Sequence, residues 1–260
     1  MDQLHILGLY AASYLIGSIP FSQMLTGLLA PGKRLKDEGT GHVGGSNAYL
    51  TAGPVAGILA TVLDMAKPVA AMLAAYGLGG WNFRDDLWQL LFLTVLVKAG
   101  HDFPVWLNFK GGKGLSTASG AMLFFGPWFW VAVHTLLLLT LFPQNANKRL
   151  KRGNLIMIAI IPLQGLLWLL DLYVPWGGFG WKCSDLFPPA ITDTWPLFWY
   201  SWVWAALYFL RRLYGCGLSE DLRRGIGPGR AILLRGLYEM YPRESQYRNP
   251  GRDIRMGEDD

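Results

Sequence analysis

Residues 115–142, LSTASGAMLFFGPWFWVAVHTLLLLTLF, form an apolar block that Gly126 and Pro127 interrupt near its middle. A helix needs roughly 20 apolar residues to cross the hydrocarbon core of a bilayer. The block is therefore either one long helix or a hairpin of two short ones. The choice decides on which side of the membrane the rest of the chain lies.

The basic residues around this block favour the hairpin. Lys110 and Lys113 come before it, and a basic cluster at residues 148–152 comes after it. One helix would put these two groups on opposite faces of the membrane, against the tendency of Lys and Arg to stay on the cytoplasmic side. A break at Gly126-Pro127 brings the chain back to its starting face. We therefore predict a short helical hairpin.

The composition places most of the chain in a membrane. Of its 260 residues 52% are hydrophobic and 16% are charged, whereas soluble domains carry roughly 25% charge. The hairpin then adds two segments to five further windows of spanning length. We predict an all-α, polytopic membrane protein with about seven transmembrane segments. The five windows are residues 4–29, 53–79, 87–107, 154–174 and 195–210.

The charge distribution predicts the domain boundary and the orientation. Residues 1–213 are expected to form one membrane domain, and residues 214–260 a polar tail with a candidate interfacial helix at 231–241. An outside N-terminus and a cytoplasmic C-terminus put 19 of the 23 basic residues inside. The net charge of +5 then reflects topology and attraction to lipid headgroups, and no nucleic-acid partner is expected.

Residues 110–114, KGGKG, which we call the lysine loop, combine two ammonium groups with three glycines. Glycines allow backbone conformations in which successive N–H groups converge, and the lysines add positive charge. Phosphate is the predicted ligand. The loop lacks the pattern of a nucleoside-triphosphate P-loop. The alternative interpretation is a glycine-rich turn whose lysines mark the cytoplasmic side.

A second glycine-dense segment, residues 39–47 (GTGHVGGSN), is called the first loop here. The predicted topology puts it on the same face as the lysine loop, so the two are expected to form one pocket. Its side chains offer several hydrogen-bonding groups. The candidate residues of this loop are Thr40, Gly41, His42, Gly44, Ser46 and Asn47.

Ionisable residues within the predicted spans are the remaining candidates. His101 either donates to a phosphate or bonds carbonyls at a helix end. Asp64 and Lys67 share one helix face and are expected to pair, in a structural or a functional role. Lys98 either has such a role or snorkels to the interface. The four histidines are scattered without a Cys/His cluster, so we predict neither a metal nor a cofactor.

In order along the chain, five segments resemble the PlsY family, the integral-membrane, acyl-phosphate-dependent glycerol-3-phosphate acyltransferases of bacteria. The resemblance runs from about residue 14 to residue 120. It implies a bacterial inner-membrane enzyme that transfers an acyl group from acyl phosphate to the 1-hydroxyl of glycerol 3-phosphate, giving lysophosphatidic acid. The five segments are residues 17–20 (GSIP), 39–47, 63–67 (LDMAK), 100–101 (GH) and 110–117 (KGGKGLST).

The resemblance also implies roles for the candidate residues. Lys113 and His101 would be catalytic, and the two loops would bind substrate phosphate. The expected partners are acyl phosphate, glycerol 3-phosphate or a similar polyol phosphate, and the bilayer. The implied phosphate-binding residues are Thr40, Gly41, His42, Gly44, Ser46, Asn47, Lys110, Gly111, Gly112 and Gly114.

The chain also departs from the family pattern, so it would be a divergent member. His42 stands in place of an Asn and Leu50 in place of an Arg, and the family's third motif of Arg-His with a nearby Asn is absent. Arg211 or Arg212, at the end of the last span, is a candidate to supply the lost charge. The departures leave three alternatives: another polyol phosphate as acceptor, a non-catalytic relative, or a transporter that keeps the phosphate-binding loops.

Overall fold

The computed structural model describes residues 3–38, 41–81, 85–125 and 195–214, with six positions between 222 and 232. Regular structure in these residues is helical, which confirms the all-α prediction. Besides one 3-10 turn at Val105–Leu107, the described helices are α1 (Gln3–Ser18), α2 (Phe21–Leu29), α3 (Gly45–Ala52), α4 (Pro54–Gly79), α5 (Leu87–Asp102), α6 (Leu115–Phe125) and α7 (Trp195–Tyr214).

Three stretches of the described chain are long and apolar enough to cross a membrane: Gln3–Leu29, Pro54–Gly79 and Leu87–Leu107. They coincide with three predicted windows, and α7 covers a fourth. Leucines such as Leu4 and Leu7 are exposed along α1, as expected for side chains that face lipid. The chain is thus a helical membrane protein. The break at Gly126-Pro127, the window at 154–174 and most of the helix predicted at 231–241 lie outside the described residues.

The first window is not the single helix that hydropathy predicts. Helix α1 ends at Ser18 and α2 begins at Phe21, with Pro20 between them. Proline has no N–H to donate and its ring clashes with the preceding turn, so the helical ladder stops there. The break leaves backbone carbonyls inside the membrane, where each needs a donor. The ammonium of Lys67 on α4 supplies it, donating to Gly17 O at 3.1 Å and Ile19 O at 2.6 Å.

Small residues allow the helices to pack backbone to backbone. A Cβ added to Gly17 would overlap the carbonyl oxygen of Val97 on α5, and one on Gly100 would overlap that of Tyr14 on α1. The bilayer offers little hydrophobic force between helices, so such close approaches provide much of the packing energy. This crossing fixes the C-terminal end of α5, where His101 lies.

Candidate functional site

The chain reverses direction directly after α5. Asn108 and Phe109 have positive φ angles of 51° and 60°, and the chain then runs back along the last turn of the helix. Gly111 N donates to Asp102 O at 3.1 Å, and Gly112 N donates to His101 O at 3.2 Å. The amides of these two glycines are therefore occupied by the backbone, which the sequence did not predict.

Each glycine of the lysine loop has a physical reason. A Cβ on Gly111 would overlap His101 O, and one on Gly112 would overlap both the His101 ring and the Val43 carbonyl of the first loop. Gly114 has a φ of +68°, which favours glycine. The contact between Gly112 and Val43 brings the two loops together, in agreement with the predicted convergence.

A buried ion pair lies beneath the lysine loop. Lys98 and Asp102 are four residues apart on α5 and form a salt bridge at 1% and 0% exposure. The Lys98 ammonium also donates to Lys113 O at 3.1 Å. Lys98 therefore does not snorkel to the interface: the carboxylate and the loop carbonyl hold it inside. This pair was not predicted from the sequence, although the i, i+4 spacing of Lys98 and Asp102 could have indicated it.

Arg211 reaches the lysine loop from α7. Its Nε donates to Asp102 O at 2.9 Å and its Nη2 donates to Gly111 O at 2.6 Å. The guanidinium also lies over the Phe103 ring, 5.8 Å from its centroid. Arg211 is thus buried against the backbone. The side chain of Arg212 lies outside the described part of the structure.

Asp64, Lys67 and His101 form a second buried cluster. Lys67 Nζ lies 2.7 Å from Asp64 Oδ1, as the shared helix face predicted. His101 Nδ1 lies 3.4 Å from Lys67 Nζ and 3.5 Å from Asp64 Oδ1. The opposite ring nitrogen, Nε2, faces Gly112. His101 therefore connects an intramembrane ion pair to the lysine loop.

These elements enclose a small pocket with about 190 Å³ of empty space, including its open mouth. The break between α1 and α2 forms one wall, and the end of α5 and the two loops form the others. Asp64 and His101 are the charged or titratable groups among its described lining residues. The lining is Gly17, Ser18, Ile19, Pro20, Ser22, Val43, Asp64, His101, Pro104, Gly111 and Gly112.

Asn47 holds the first loop in shape. Its side-chain nitrogen donates to Leu35 O at 2.8 Å, Glu38 O at 3.1 Å and His42 O at 2.9 Å, and the residue is buried. In this structure the Asn47 amide therefore organises the loop backbone. Of the other predicted residues of this loop, Ser46 and Gly41 are exposed, His42 and Gly44 are half-buried, and Thr40 lies outside the described residues.

Basic side chains gather at the outer edge of the lysine loop. Lys36 Nζ donates to Leu107 O at 3.2 Å, just before the loop. Partial burial lowers the pKa of Lys36, and the neighbouring ammonium of Lys110 lowers it further. Repulsion between these cations indicates a positive potential at this edge. Lys110 is exposed there and Lys113 is half-buried.

Comparison with known proteins assigns the family. A family model described as glycerol-3-phosphate acyltransferase matches residues 7–211. The glycerol-3-phosphate acyltransferase of Anaeromyxobacter dehalogenans is 40% identical over 120 residues, 46% of this chain and 59% of that protein. Glycerol-3-phosphate acyltransferase 1 of Dehalococcoides mccartyi is 35% identical over 159 residues, 60% of this chain and 72% of that protein.

The fold also has a counterpart among solved structures. A crystal structure of PlsY, an integral membrane glycerol 3-phosphate acyltransferase, in its glycerol 3-phosphate form matches with a TM-score of 0.58 and 24% identity. The match covers 85% of this chain and 94% of that one. A second structure, the lysophosphatidic acid form, matches with a TM-score of 0.56. With a family model that spans most of its length, the chain belongs to the glycerol-3-phosphate acyltransferase family.

Proposed function

We propose that the protein transfers a fatty acyl group from acyl phosphate to the 1-hydroxyl of glycerol 3-phosphate, giving lysophosphatidic acid and phosphate. Family membership supports the reaction, because the matched relatives are named as glycerol-3-phosphate acyltransferases. The observation that carries the proposal is the junction of the two glycine loops over His101, with buried positive charge beneath it.

The electrostatics beneath the lysine loop suit a phosphate. Lys98 and Arg211 contribute two cations against the single carboxylate of Asp102, and all three side chains are buried. A net positive charge in a low-dielectric region attracts an anion more strongly than exposed lysines do. Lys113, which is half-buried, and Lys110, which is exposed, add two further ammonium groups to the loop. These two loop lysines form the proposed phosphate site, above the buried net charge.

The backbone contributes donors to the same site. The Lys113 carbonyl points to Lys98, and in a trans peptide the next N–H points the opposite way. The N–H of Gly114, which has no partner among the described residues, is therefore aimed away from Lys98. Helix α6 begins at the next residue, so its first-turn amides and its dipole also favour an anion.

His101 is proposed to donate to the substrate through Nε2. The Lys67 ammonium can only donate, so a hydrogen bond from it to Nδ1 requires the ring proton on Nε2, which faces the lysine loop. This proposed tautomer forgoes a bond from Nδ1 to Asp64 Oδ1, 3.5 Å away. An Nε2–H next to Gly112 is suited to the phosphate or to the carbonyl oxygen that gains charge during attack. Asp64 in turn holds Lys67 in place.

The proposed chemistry needs no protein nucleophile, because an acyl phosphate is already an activated anhydride. The acceptor hydroxyl oxygen forms the ester bond with the acyl carbon while the bond from that carbon to the phosphate oxygen breaks. The departing phosphate takes the hydroxyl proton. The task of the site is therefore to position the substrates and to stabilise charge.

The lipid side and the cellular location follow from the same proposal. The acyl chain is proposed to lie between helices at the bilayer edge, next to the exposed apolar faces. We propose a multi-pass protein of the bacterial inner membrane, with the N-terminus outside and the C-terminus in the cytoplasm. Both loops then face the compartment where soluble glycerol 3-phosphate is available.

The test is an assay of the protein in lipid nanodiscs with palmitoyl phosphate and glycerol 3-phosphate. Lysophosphatidic acid and phosphate should form together, and Lys113→Met should lower kcat/KM by about 100- to 1,000-fold, the usual loss for one charge-stabilising donor. Lys33→Met, which removes an exposed lysine from the connection after α2, is the matched control and should keep wild-type activity.

Further outcomes separate the rival functions. Product formed only with a different polyol phosphate would change the acceptor but keep the reaction class. The proposal would be overturned if the wild type released phosphate no faster than Lys113→Met with every acceptor tested. Phosphate flux into liposomes without acyl transfer would instead identify a transporter. Failure to rescue growth of a strain that lacks its own acyltransferase would point to a non-catalytic relative.

A further inference from the structure

Arg211 connects α7 to the lysine loop across 100 positions of sequence. Its two hydrogen bonds end on the carbonyls of Asp102 and Gly111, which flank the chain reversal after α5. Those two residues are also joined directly, because Gly111 N donates to Asp102 O. One guanidinium thus bridges the helix end and the returning segment of the loop.

The surroundings of Arg211 identify it as part of the scaffold. The side chain is 4% exposed, and its guanidinium lies over the Phe103 ring. The pocket is lined by Gly111 and Gly112, and Arg211 is not among its described lining residues. The planar guanidinium presents several N–H donors in fixed directions, so it can donate to two carbonyls at once. The guanidinium is therefore directed at two backbone carbonyls.

We infer that Arg211 is a positioning residue that holds the lysine loop against the end of α5. Arg211 fixes the Gly111 carbonyl and Lys98 fixes the Lys113 carbonyl, so the backbone is held on both sides of Gly112. The sequence suggested a direct compensating charge at this position. The geometry assigns instead a structural role to its two hydrogen bonds, which hold the loop that carries the phosphate site, while its buried charge only adds to the positive potential beneath that loop. We call the two hydrogen bonds from Arg211 to the carbonyls of Asp102 and Gly111 the clamp. The expected effect on phosphate binding rests on the proposed function, but the clamp itself does not.

Limited trypsin digestion without any ligand tests the clamp. Arg211→Met should raise the rate of cleavage after Lys110 and Lys113 by about tenfold or more, because two hydrogen bonds from a charged donor are lost. Cleavage after Lys33 is the internal reference and should not change. Arg211→Lys should give an intermediate rate, since an ammonium lacks the planar fork. Arg34→Met, which removes an exposed arginine, is the matched control and should behave as wild type.

Binding of inorganic phosphate, measured by calorimetry, extends the test to the ligand. Arg211→Met should weaken phosphate binding about tenfold, and Arg211→Lys should recover part of the loss. Weaker phosphate binding with an unchanged digestion pattern would show that Arg211 acts on phosphate by its charge or by contact and not by holding the loop, which overturns the inference. An equal rise in the cleavage rate at all tryptic sites, Lys33 included, would show that Arg211→Met destabilises the whole protein, which also overturns the inference.

The outcomes for Arg211 are separable from those for the enzyme. If the wild type forms no lysophosphatidic acid but Arg211→Met is still cleaved faster after Lys110 and Lys113, the proposed function fails and the clamp stands. If the wild type is active and the loop of Arg211→Met stays protected, the clamp fails and the proposed function stands.

Discussion

Gly112 is the residue at which the lysine loop, the first loop and the His101 ring come into contact. Its missing side chain leaves the space in which the His101 ring and the Val43 carbonyl meet. Every larger residue has to displace one loop from the other. The amide of Gly112 is occupied by His101 O, so the residue contributes by fitting and not by binding an anion itself.

Gly112→Ala should therefore lower acyl transfer at least about 100-fold, because small displacements of catalytic groups have effects of this size. The assay is lysophosphatidic acid formation, with the thermal midpoint of unfolding measured in parallel. Gly77→Ala is the matched control: Gly77 lies within α4, and a Cβ added to it would meet nothing within 4 Å. Alanine is a better helix former, so this control should be active and slightly more stable. Full activity of Gly112→Ala would contradict the close fit.

At the scale of elements, the break between α1 and α2 explains why Lys67 is buried. The ammonium satisfies two carbonyls that Pro20 leaves without helical donors, and it also pairs with Asp64. A charge within the membrane is retained where it has several such partners. The ion pair is thus part of a helix junction as well as part of the pocket.

Lys67→Met should accordingly cost more stability than Asp64→Asn. Loss of one partner of a buried ion pair costs about 3–5 kcal/mol. Lys67→Met also removes the donor to Gly17 O and one of the two donors to Ile19 O, which keeps a bond from Phe21 N at 3.1 Å. Asp64→Asn keeps an acceptor for the ammonium. The measurement is the free energy of unfolding in detergent. A larger loss in Asp64→Asn would show that the carboxylate, and not the helix junction, dominates the cluster.

The helices were predictable to different degrees. Hydropathy located the spans because crossing length is a property of local composition, so the windows at 53–79 and 87–107 lie within a residue of the helical stretches. The break at Pro20 was missed because a proline in an apolar run also occurs within continuous helices, as Pro68 does in α4. Hydropathy does not distinguish the two cases.

The site was predictable as a set of loops but not as a network. Glycine and lysine spacing identified the lysine loop, and the ionisable residues in the spans were visible. The bonds of Arg211 to Gly111 and of Lys67 to Gly17 join residues 100 and 50 positions apart. Such pairs form through helix packing, which local spacing does not encode.

At the scale of the whole molecule, the hairpin predicted at residues 115–142 determines the topology. The test uses a variant whose two native cysteines are replaced by alanine, with one new cysteine at a time, Asp37→Cys or Ala146→Cys. We expect each new cysteine to react with a membrane-impermeant maleimide only after the membrane is opened. Asp85→Cys, between α4 and α5, is the outside control and should react in intact cells. Labelling of Ala146→Cys in intact cells would mean that residues 115–142 form a single span.

The contact between α1 and α5 has a consequence for how this sequence can change over evolutionary time. Gly17 and Gly100 each lie against the backbone of the other helix, so neither accepts even a methyl group unless the helices move apart. Gly100 directly precedes His101, and such a movement would carry the histidine with it. With the proposed function, selection for acyl transfer therefore extends to a steric contact between two helix backbones, and substitutions at these two positions are not neutral.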